Sequence, residues 1–258
     1  MNYHKKIREI AHLSKADMHI HSNYSDGKPS ISEILDYVES NTHLNLIAIA
    51  DHDTIEGALE AQKIAQTRKF RFEIVVGEEI TTKEGHILGL FLSSTIKPHM
   101  STTETLAEIH RQKGIAIAAH PFQHTRLKNP HMAIMNGIGL KSLIKNRKNL
   151  DAIEIVNATP TLSEENIQAN LVNKTILFRG ETGSSDAHIL EAIGQGYTLF
   201  RGKTASDLKK ALLSHQTKAM SKRWTLLALF KYLFFFIPIG LRLFFHTLLH
   251  GRAPEVVE

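Results

Sequence analysis

The chain has 258 residues, of which 42% are hydrophobic and 22% are charged, and its formal net charge is +5 at pH 7. This composition allows a sizeable core and excludes an intrinsically disordered chain. The sequence contains no cysteine, which excludes a disulfide framework and metal sites built on thiolates. Because the first residues lack the apolar core of a signal peptide, we expect a cytoplasmic protein.

The first predicted strand places two histidines on one face. His19 and His21 are two residues apart, and side chains at this spacing share a face of a β-strand. The same alternation predicts that Met18 and Ile20 point together to the opposite, apolar face. Asp26 follows in a glycine-containing loop, where its carboxylate can turn back towards both imidazoles. The pattern favours a metal site, although a strand with two partly exposed histidines has the same spacing.

Further histidines and carboxylates follow the first strand, each beside an apolar run. In chain order they are Asp51, His52 and Asp53, then Glu78 and Glu79, then His86, His120, Asp186 and His188. Buried charge is costly unless it is paired or bound to metal. A series of strand ends with the same chemistry therefore predicts one shared metal centre.

The remaining pattern predicts an α/β fold in which short apolar strands alternate with helices. Capping boxes predict helices that begin after Ser30, with Glu33, and after Ser101, with Glu104. Further strands are predicted at residues 152 to 156, 175 to 178 and 197 to 200. In a closed α/β barrel, side chains at the carboxyl ends of the strands converge on one mouth.

Residues 15 to 200 resemble the PHP (polymerase and histidinol phosphatase) family of metal-dependent phosphoesterases. The motifs are Asp17-Met-His-Ile-His21, Ala50-Asp-His-Asp53, Gly77-Glu-Glu79, His86, Ala119-His-Pro121 and Ser185-Asp-Ala-His188. The resemblance implies a distorted seven-stranded barrel and nine metal ligands, with Glu79 rather than Glu78 as the ligand of its motif. The implied ligands are His19, His21, Asp26, His52, Glu79, His86, His120, Asp186 and His188.

The resemblance also implies how these residues divide among metal ions. One ion is assigned to His19, His21, Glu79 and Asp186, a second to Glu79, His86 and His120, and a third to Asp26, His52 and His188. Imidazole and carboxylate ligands suit Mn²⁺, Fe²⁺ or Zn²⁺, so we expect two or three such ions. A carboxylate-bridged pair of ions makes hydroxide available near neutral pH, and we expect catalytic roles for Glu79, Asp186 and His188.

The loop after His120 is expected to bind substrate. The family places an arginine two residues after the proline, where this chain has Gln123. Arg126 is therefore the candidate to hold a phosphate in its place, together with His124. The alternative is that Arg126 is an ordinary surface arginine.

A hydrophobic, basic tail at residues 221 to 258 follows the expected catalytic domain at residues 1 to 220. Six of the 12 phenylalanines lie in the tail, but Lys231 and Arg242 leave an uncharged run only from 232 to 241. A bilayer span needs about 20 apolar residues, so we expect a re-entrant or interfacial membrane anchor. The alternative is a hydrophobic helix pair that packs on the barrel or forms a dimer interface.

Together these features predict a hydrolase of phosphomonoesters or of nucleotide or oligonucleotide phosphodiesters, held at the inner face of the cell membrane. The rival interpretation is a non-catalytic, metal-stabilised module that recruits partners to the membrane. Amidohydrolase chemistry at carbon uses similar metals but fits the nine ligand positions less well. Because the basic residues are dispersed, we expect no stable nucleic-acid complex. The oligomeric state is left open.

Overall fold

The computed structural model describes residues 13 to 123 and 137 to 237, which form an α/β fold around one large sheet. The strands are β1 (Ser14–Ile20), β2 (Leu46–Ile49), β3 (Glu73–Thr81), β4 (His86–Leu90), β5 (Ile115–Ala118), β6 (Ala152–Asn157), β7 (Gly180–Ser184), β8 (Gly196–Phe200) and β9 (Lys218–Ser221). The helices are α1 (Ile31–Asn41), α2 (Glu56–Thr67), α3 (Thr102–Arg111), α4 (Gly139–Asn146), α5 (Ser163–Val172), α6 (Ala205–Leu213) and α7 (residues 226 to 237).

The sheet is nearly closed into a barrel. Its strand order is β7-β6-β5-β4-β3-β2-β1-β8-β9, with β4 antiparallel to both of its neighbours. The Gly183 amide on β7 donates to the Thr198 hydroxyl on β8 at 2.9 Å, and this hydroxyl donates back to the Gly183 carbonyl. A Cβ atom at Gly183 would lie 2.8 Å from the backbone nitrogen of Met220, so glycine is needed for β9 to approach.

The predicted seven-stranded barrel is wrong in strand number, because the described part of the chain contributes nine strands. The antiparallel pair β8 and β9 extends the sheet beyond β1. Strand β9 has only the short sequence Lys-Ala-Met-Ser and is partly exposed, so no apolar run marks it in the sequence.

Two apolar clusters are formed by the described residues. One consists mainly of strand side chains enclosed by the sheet, and it includes Met18. The other lies between the sheet and the helices, and it includes Ile20. The prediction that Met18 and Ile20 share a face is therefore wrong. The pairing of β1 with β2 shifts register between Asp17 and Ile20, and an extra residue at such a bulge interrupts the strict alternation of side chains.

Several local predictions are confirmed. Ser30 and Ser101 each accept a hydrogen bond from the backbone of the glutamate three residues later, and both capping boxes are complete. The strands predicted at 152 to 156 and 197 to 200 are observed as β6 and β8. The strand predicted at 175 to 178 is wrong, because Asn173–Leu177 continues α5 as a π-helix. A short apolar run does not by itself distinguish a strand from a helix.

The beginning of the tail continues the fold. The indole nitrogen of Trp224 donates to the carbonyl of Ala158 at 2.8 Å, and residues 226 to 237 are helical. Within the described ranges, no helix combines the length and the apolar character needed to cross a membrane. Residues 238 to 258 lie outside the described part of the chain.

Candidate metal centre

The predicted ligands meet at one edge of the sheet. Most of them follow or end a strand, which is the arrangement that the sequence predicts. His86 differs because it is the first residue of β4. Since β4 is antiparallel to β3, with His86 opposite Thr81, its beginning lies at the same edge as the carboxyl end of β3. An antiparallel strand thus delivers a ligand from its amino end to the same place.

Glu79 lies at the middle of the cluster and is buried. Its Oε1 atom is 2.8 Å from Nε2 of His120 and 3.0 Å from Nδ1 of His86. Its Oε2 atom faces imidazoles on the other side: His19 Nε2 at 3.0 Å, His21 Nε2 at 3.2 Å and His52 Nδ1 at 3.5 Å. This carboxylate therefore has one oxygen in each half of the cluster, as a bridging ligand requires.

Two aspartates complete the cluster on the side of His21. Oδ1 of Asp186 is 3.3 Å from Nε2 of His21 and 3.7 Å from Nδ1 of His188. Oδ2 of Asp26 is 3.2 Å from Nε2 of His188 and 3.8 Å from Nε2 of His52. His188 thus lies between the two carboxylates, and its side chain is 12% exposed.

The structure brings all nine predicted ligands together, in four overlapping sets whose donor atoms lie within 4.8 Å of one another. These sets are His19, His21 and Asp186; His19, Glu79 and His120; His52, Glu79 and His86; and His21, Asp26, His52 and His188. The fourth set adds His21 to the three residues implied by the family resemblance. The second and third sets divide the residues around Glu79 differently from that resemblance.

The donor atoms fit divalent metal ions. Within the described ranges, His21, His52, His86 and His120 have buried imidazole nitrogens that make no hydrogen bond of normal geometry, even where a carboxylate oxygen lies nearby. Buried polar atoms are nearly always satisfied in native proteins, and a metal ion would satisfy these nitrogens. Burial lowers the pKa of His52 to about 4, so this imidazole is neutral near pH 7, the form that binds metal. Burial opposes the charge of Glu79, but His19 and His86 outweigh this effect and hold its pKa well below the usual value.

Two of the nine predicted ligands have strained backbones. The φ angles of His120 and Asp186 are 23° and 53°, in a region that residues other than glycine rarely adopt. The His120 amide donates to Glu154 at 2.8 Å, and the Ala187 amide, next to Asp186, donates to the His19 carbonyl at 3.2 Å. Such strain costs about 1 to 3 kcal/mol per residue and is concentrated at functional sites.

Glu154 is a buried carboxylate that the sequence analysis did not assign to the site. Its Oε1 is 3.1 Å from Nδ1 of His19, so Nδ1 can hold the proton and leave Nε2 free towards Glu79. The Asn157 amide donates to Glu154 at 3.0 Å and to Asp186 at 2.9 Å. The available signal was a glutamate within the otherwise apolar run that forms β6, where an unpaired charge would be costly.

Asp51 belongs to the predicted series of strand-end residues but had no assigned role, and it positions the loop that carries Asp26. It accepts hydrogen bonds from the Ser22 amide and hydroxyl, both at 2.7 Å, and from the Ser25 hydroxyl at 2.8 Å. A Cβ atom at Gly57 would lie 2.3 Å from Oδ2 of Asp51, so glycine leaves room for this carboxylate. The predicted substrate residues His124 and Arg126 lie outside the described part of the chain.

Comparison with known proteins places this site in a family. A family model described as PHP-associated matches residues 179 to 217. An uncharacterised protein of Methanocaldococcus jannaschii, MJ1587, is 41% identical over 118 residues, which cover 42% of this chain and 68% of that protein. A 5'-3' exoribonuclease of Haemophilus influenzae is 32% identical over 107 residues, covering 40% of this chain and 38% of that enzyme.

Solved structures share the fold at low sequence identity. A two-domain protein of Bacteroides vulgatus, which contains a predicted PHP-like metal-dependent phosphoesterase, matches with a TM-score of 0.62 and 19% identity, covering 81% of this chain and 65% of that chain. The lesion-specific endonuclease EndoQ of Pyrococcus furiosus matches with a TM-score of 0.52 and 16% identity, covering 81% and 58%.

The fold and the cluster of imidazoles and carboxylates together define a candidate centre for divalent metal ions. The chain belongs to the PHP family.

Proposed function

We propose that this protein hydrolyses phosphate esters at a site that holds two or three divalent metal ions. The substrate would be a phosphomonoester or the phosphodiester of a nucleotide or short oligonucleotide. The position of Glu79 carries the proposal, because this buried carboxylate has imidazoles within 3.5 Å of both of its oxygens. The relative named as an exoribonuclease and the endonuclease with the same fold support including oligonucleotides among the substrates.

The ligands would be the nine residues assembled at the sheet edge, with Glu79 shared between ions. Bound Mn²⁺, Fe²⁺ or Zn²⁺ would lower the pKa of a water molecule and neutralise phosphoryl oxygens. Glu154 would orient the His19 imidazole through Nδ1. Asp186 and His188, at the more exposed side of the cluster, would face the substrate.

Loss of Asp186 tests the proposed activity. We expect Asp186→Ala to lower kcat/KM by at least 100-fold in Mn²⁺-reconstituted protein, measured over phosphomonoesters, phosphodiesters and short oligonucleotides. Asp36→Ala is the matched control, because Asp36 is a half-exposed surface residue that pairs with Arg68. No turnover across the panel, in protein that binds metal, would favour the non-catalytic module instead.

We also propose that the tail at residues 221 to 258 holds the domain of residues 1 to 220 at the cytoplasmic face of the membrane. One face of α7 is apolar and exposed. Its residues, with their exposed fractions, are Leu226 at 87%, Leu227 at 63%, Phe230 at 66%, Leu233 at 45%, Phe234 at 72% and Ile237 at 53%. The basic residues Lys222 and Arg223 are exposed beside the helix, and this combination is typical of interfacial helices that bind anionic lipid.

Vesicle binding tests this second proposal. We expect the protein to co-sediment with vesicles that contain phosphatidylglycerol, and binding to fall at least tenfold when Phe230 and Phe234 are both replaced by serine. The control is the pair Thr103→Ser and Thr175→Ser, which changes other parts of the surface. Failure of the wild-type protein to bind these vesicles would refute membrane attachment through the tail.

A further inference from the structure

The inner face of α7 packs against the barrel beside the metal centre. Ala228 and Tyr232 on this face are buried. At the beginning of the segment, the Trp224 indole is fixed to the carbonyl of Ala158, just after β6. The Lys231 ammonium pairs with Glu191, which follows the loop of His188. The helix therefore spans the region beyond the carboxyl ends of β6 and β7.

A continuous series of aromatic rings connects this helix to the site. The ring centroids of Trp224 and Tyr232 are 5.2 Å apart, and those of Tyr232 and Phe236 are 4.4 Å apart. Phe236 then meets the His188 imidazole at 5.6 Å, with the two rings inclined by 68°. These separations are typical of favourable aromatic contacts. Phe236 is only partly buried, so part of this last residue of the series remains accessible.

We propose that Phe236 is a specificity-determining residue that selects phosphate esters with a hydrophobic group next to the phosphate. This inference rests on the proposed phosphoesterase function. The imidazole and carboxylate cluster can hold a phosphate through metal ions, while the ring beside His188 offers no hydrogen bond to the rest of the substrate. A polar group placed against the ring would lose water without replacement, whereas an apolar group would gain by burial.

Tyr232 is buried and packs against Phe236, with their ring centroids 4.4 Å apart. Burial, with the nearby charge of Asp186, raises the pKa of its phenol. Tyr232 is therefore a positioning residue, which holds the Phe236 ring in contact with His188. The selectivity follows from these contacts and from the accessible part of Phe236.

The two faces of α7 supply a matched control. Phe234 is two residues from Phe236 in the same helix but is 72% exposed. Phe236→Ala and Phe234→Ala remove the same atoms from the same element, and only the first removes the ring at the metal centre. A general effect of shortening an aromatic side chain in the tail would appear in both variants.

Binding of two phosphonates to the full-length, Mn²⁺-loaded protein tests the inference without requiring turnover. We expect phenylphosphonate to bind about tenfold more tightly than methylphosphonate, a difference of about 1.4 kcal/mol. In Phe236→Ala the preference should fall below threefold through weaker binding of phenylphosphonate, and in Phe234→Ala it should persist. Equal affinities in the wild-type protein, no binding of either probe, or an unchanged preference in Phe236→Ala would overturn the inference.

Hydrolysis separates this inference from the proposed function. With naphthyl phosphate we expect Phe236→Ala to raise KM about tenfold with less than a threefold change in kcat, and with glycerol phosphate we expect little change in either. Absence of turnover in a protein that still shows the Phe236-dependent phosphonate preference would refute the esterase activity and leave the hydrophobic selectivity supported.

Discussion

Replacement of Glu154 by glutamine would test how a carboxylate behind the predicted metal ligands controls the protonation of His19. Oε1 of Glu154 is hydrogen bonded with the His19 imidazole and accepts from the Ser184 hydroxyl. Oε2 accepts hydrogen bonds from the backbone amide of His120 at 2.8 Å and from the side-chain amide of Asn157 at 3.0 Å. A glutamine keeps one oxygen and presents an NH₂ group at the other position. Whichever way it turns, two buried partners lose their acceptor.

The less costly arrangement puts the NH₂ group at the Oε1 position, because the Ser184 hydroxyl can rotate. His19 must then accept at Nδ1, which moves its proton to Nε2, the atom that faces Glu79 at 3.0 Å. A protonated Nε2 is no longer a metal ligand. The reverse arrangement leaves the His120 backbone amide and the Asn157 side-chain amide without an acceptor. Each unpaired donor would cost about 1 to 3 kcal/mol of stability.

We therefore expect Glu154→Gln to lower metal affinity about 10- to 100-fold, the usual effect of losing such a partner, or about 1.4 to 2.8 kcal/mol. Competition with a chromophoric chelator measures the affinity, and urea unfolding of metal-free protein measures the stability. Glu164→Gln, at an exposed position in the first turn of α5, is the control. Wild-type affinity in Glu154→Gln would refute the argument that this carboxylate sets the His19 tautomer.

Further predictions concern the supporting loop, the buried acid and proton release. Gly57→Ala places a methyl group 2.3 Å from the Asp51 carboxylate, so we expect a loss of about 1 to 3 kcal/mol in urea unfolding; unchanged stability would show that the carboxylate moves freely. Burial raises the pKa of Glu78 from 4.5 to about 8, so the folded state keeps a proton that the unfolded state releases. The contribution of Glu78 to stability should then be greatest below about pH 4.5 and decline as the pH rises towards 8, by up to about 3 kcal/mol between pH 5.5 and 8, and Glu78→Gln should flatten this decline. Burial opposes the charge of His19 and His21, but nearby carboxylates outweigh it and raise both pKa values, that of His21 to about 10. Metal binding at pH 7 should therefore release protons, seen as a calorimetric enthalpy that depends on the ionisation enthalpy of the buffer; a buffer-independent enthalpy would contradict these pKa directions.

Local patterns were sufficient where the decisive interaction is local. The capping boxes at Ser30 and Ser101 depend on a residue and its neighbour three positions later, and both formed as predicted. The two-residue period of a strand predicted that His19 and His21 lie together, and both belong to the candidate metal centre. A bulge nevertheless puts Met18 and Ile20 in different apolar clusters. Where one apolar pattern suits two elements, as at residues 175 to 178, the sequence favoured the wrong one.

The tail shows what a linear pattern leaves undecided. Its apolar residues predict burial in a membrane or against protein, and α7 has one apolar face against the barrel and another exposed. Because α7 has apolar residues around most of its circumference, its sequence does not indicate which face packs against the barrel. The contact between Phe236 and His188 depends on where the segment after β9 places the helix.

The sequence alone determined which side chains form the candidate metal centre, because the imidazole and carboxylate side chains and their spacing within single strands and loops are local properties. It also determined the positions from which they act, since strand ends are marked by the change from apolar to polar residues. Only the tertiary structure decided that Glu79 has imidazoles on both sides, that Glu154 orients His19, and that α7 borders the site. These relations join residues far apart in the chain, and their geometry depends on sheet closure and helix packing, which no single segment encodes.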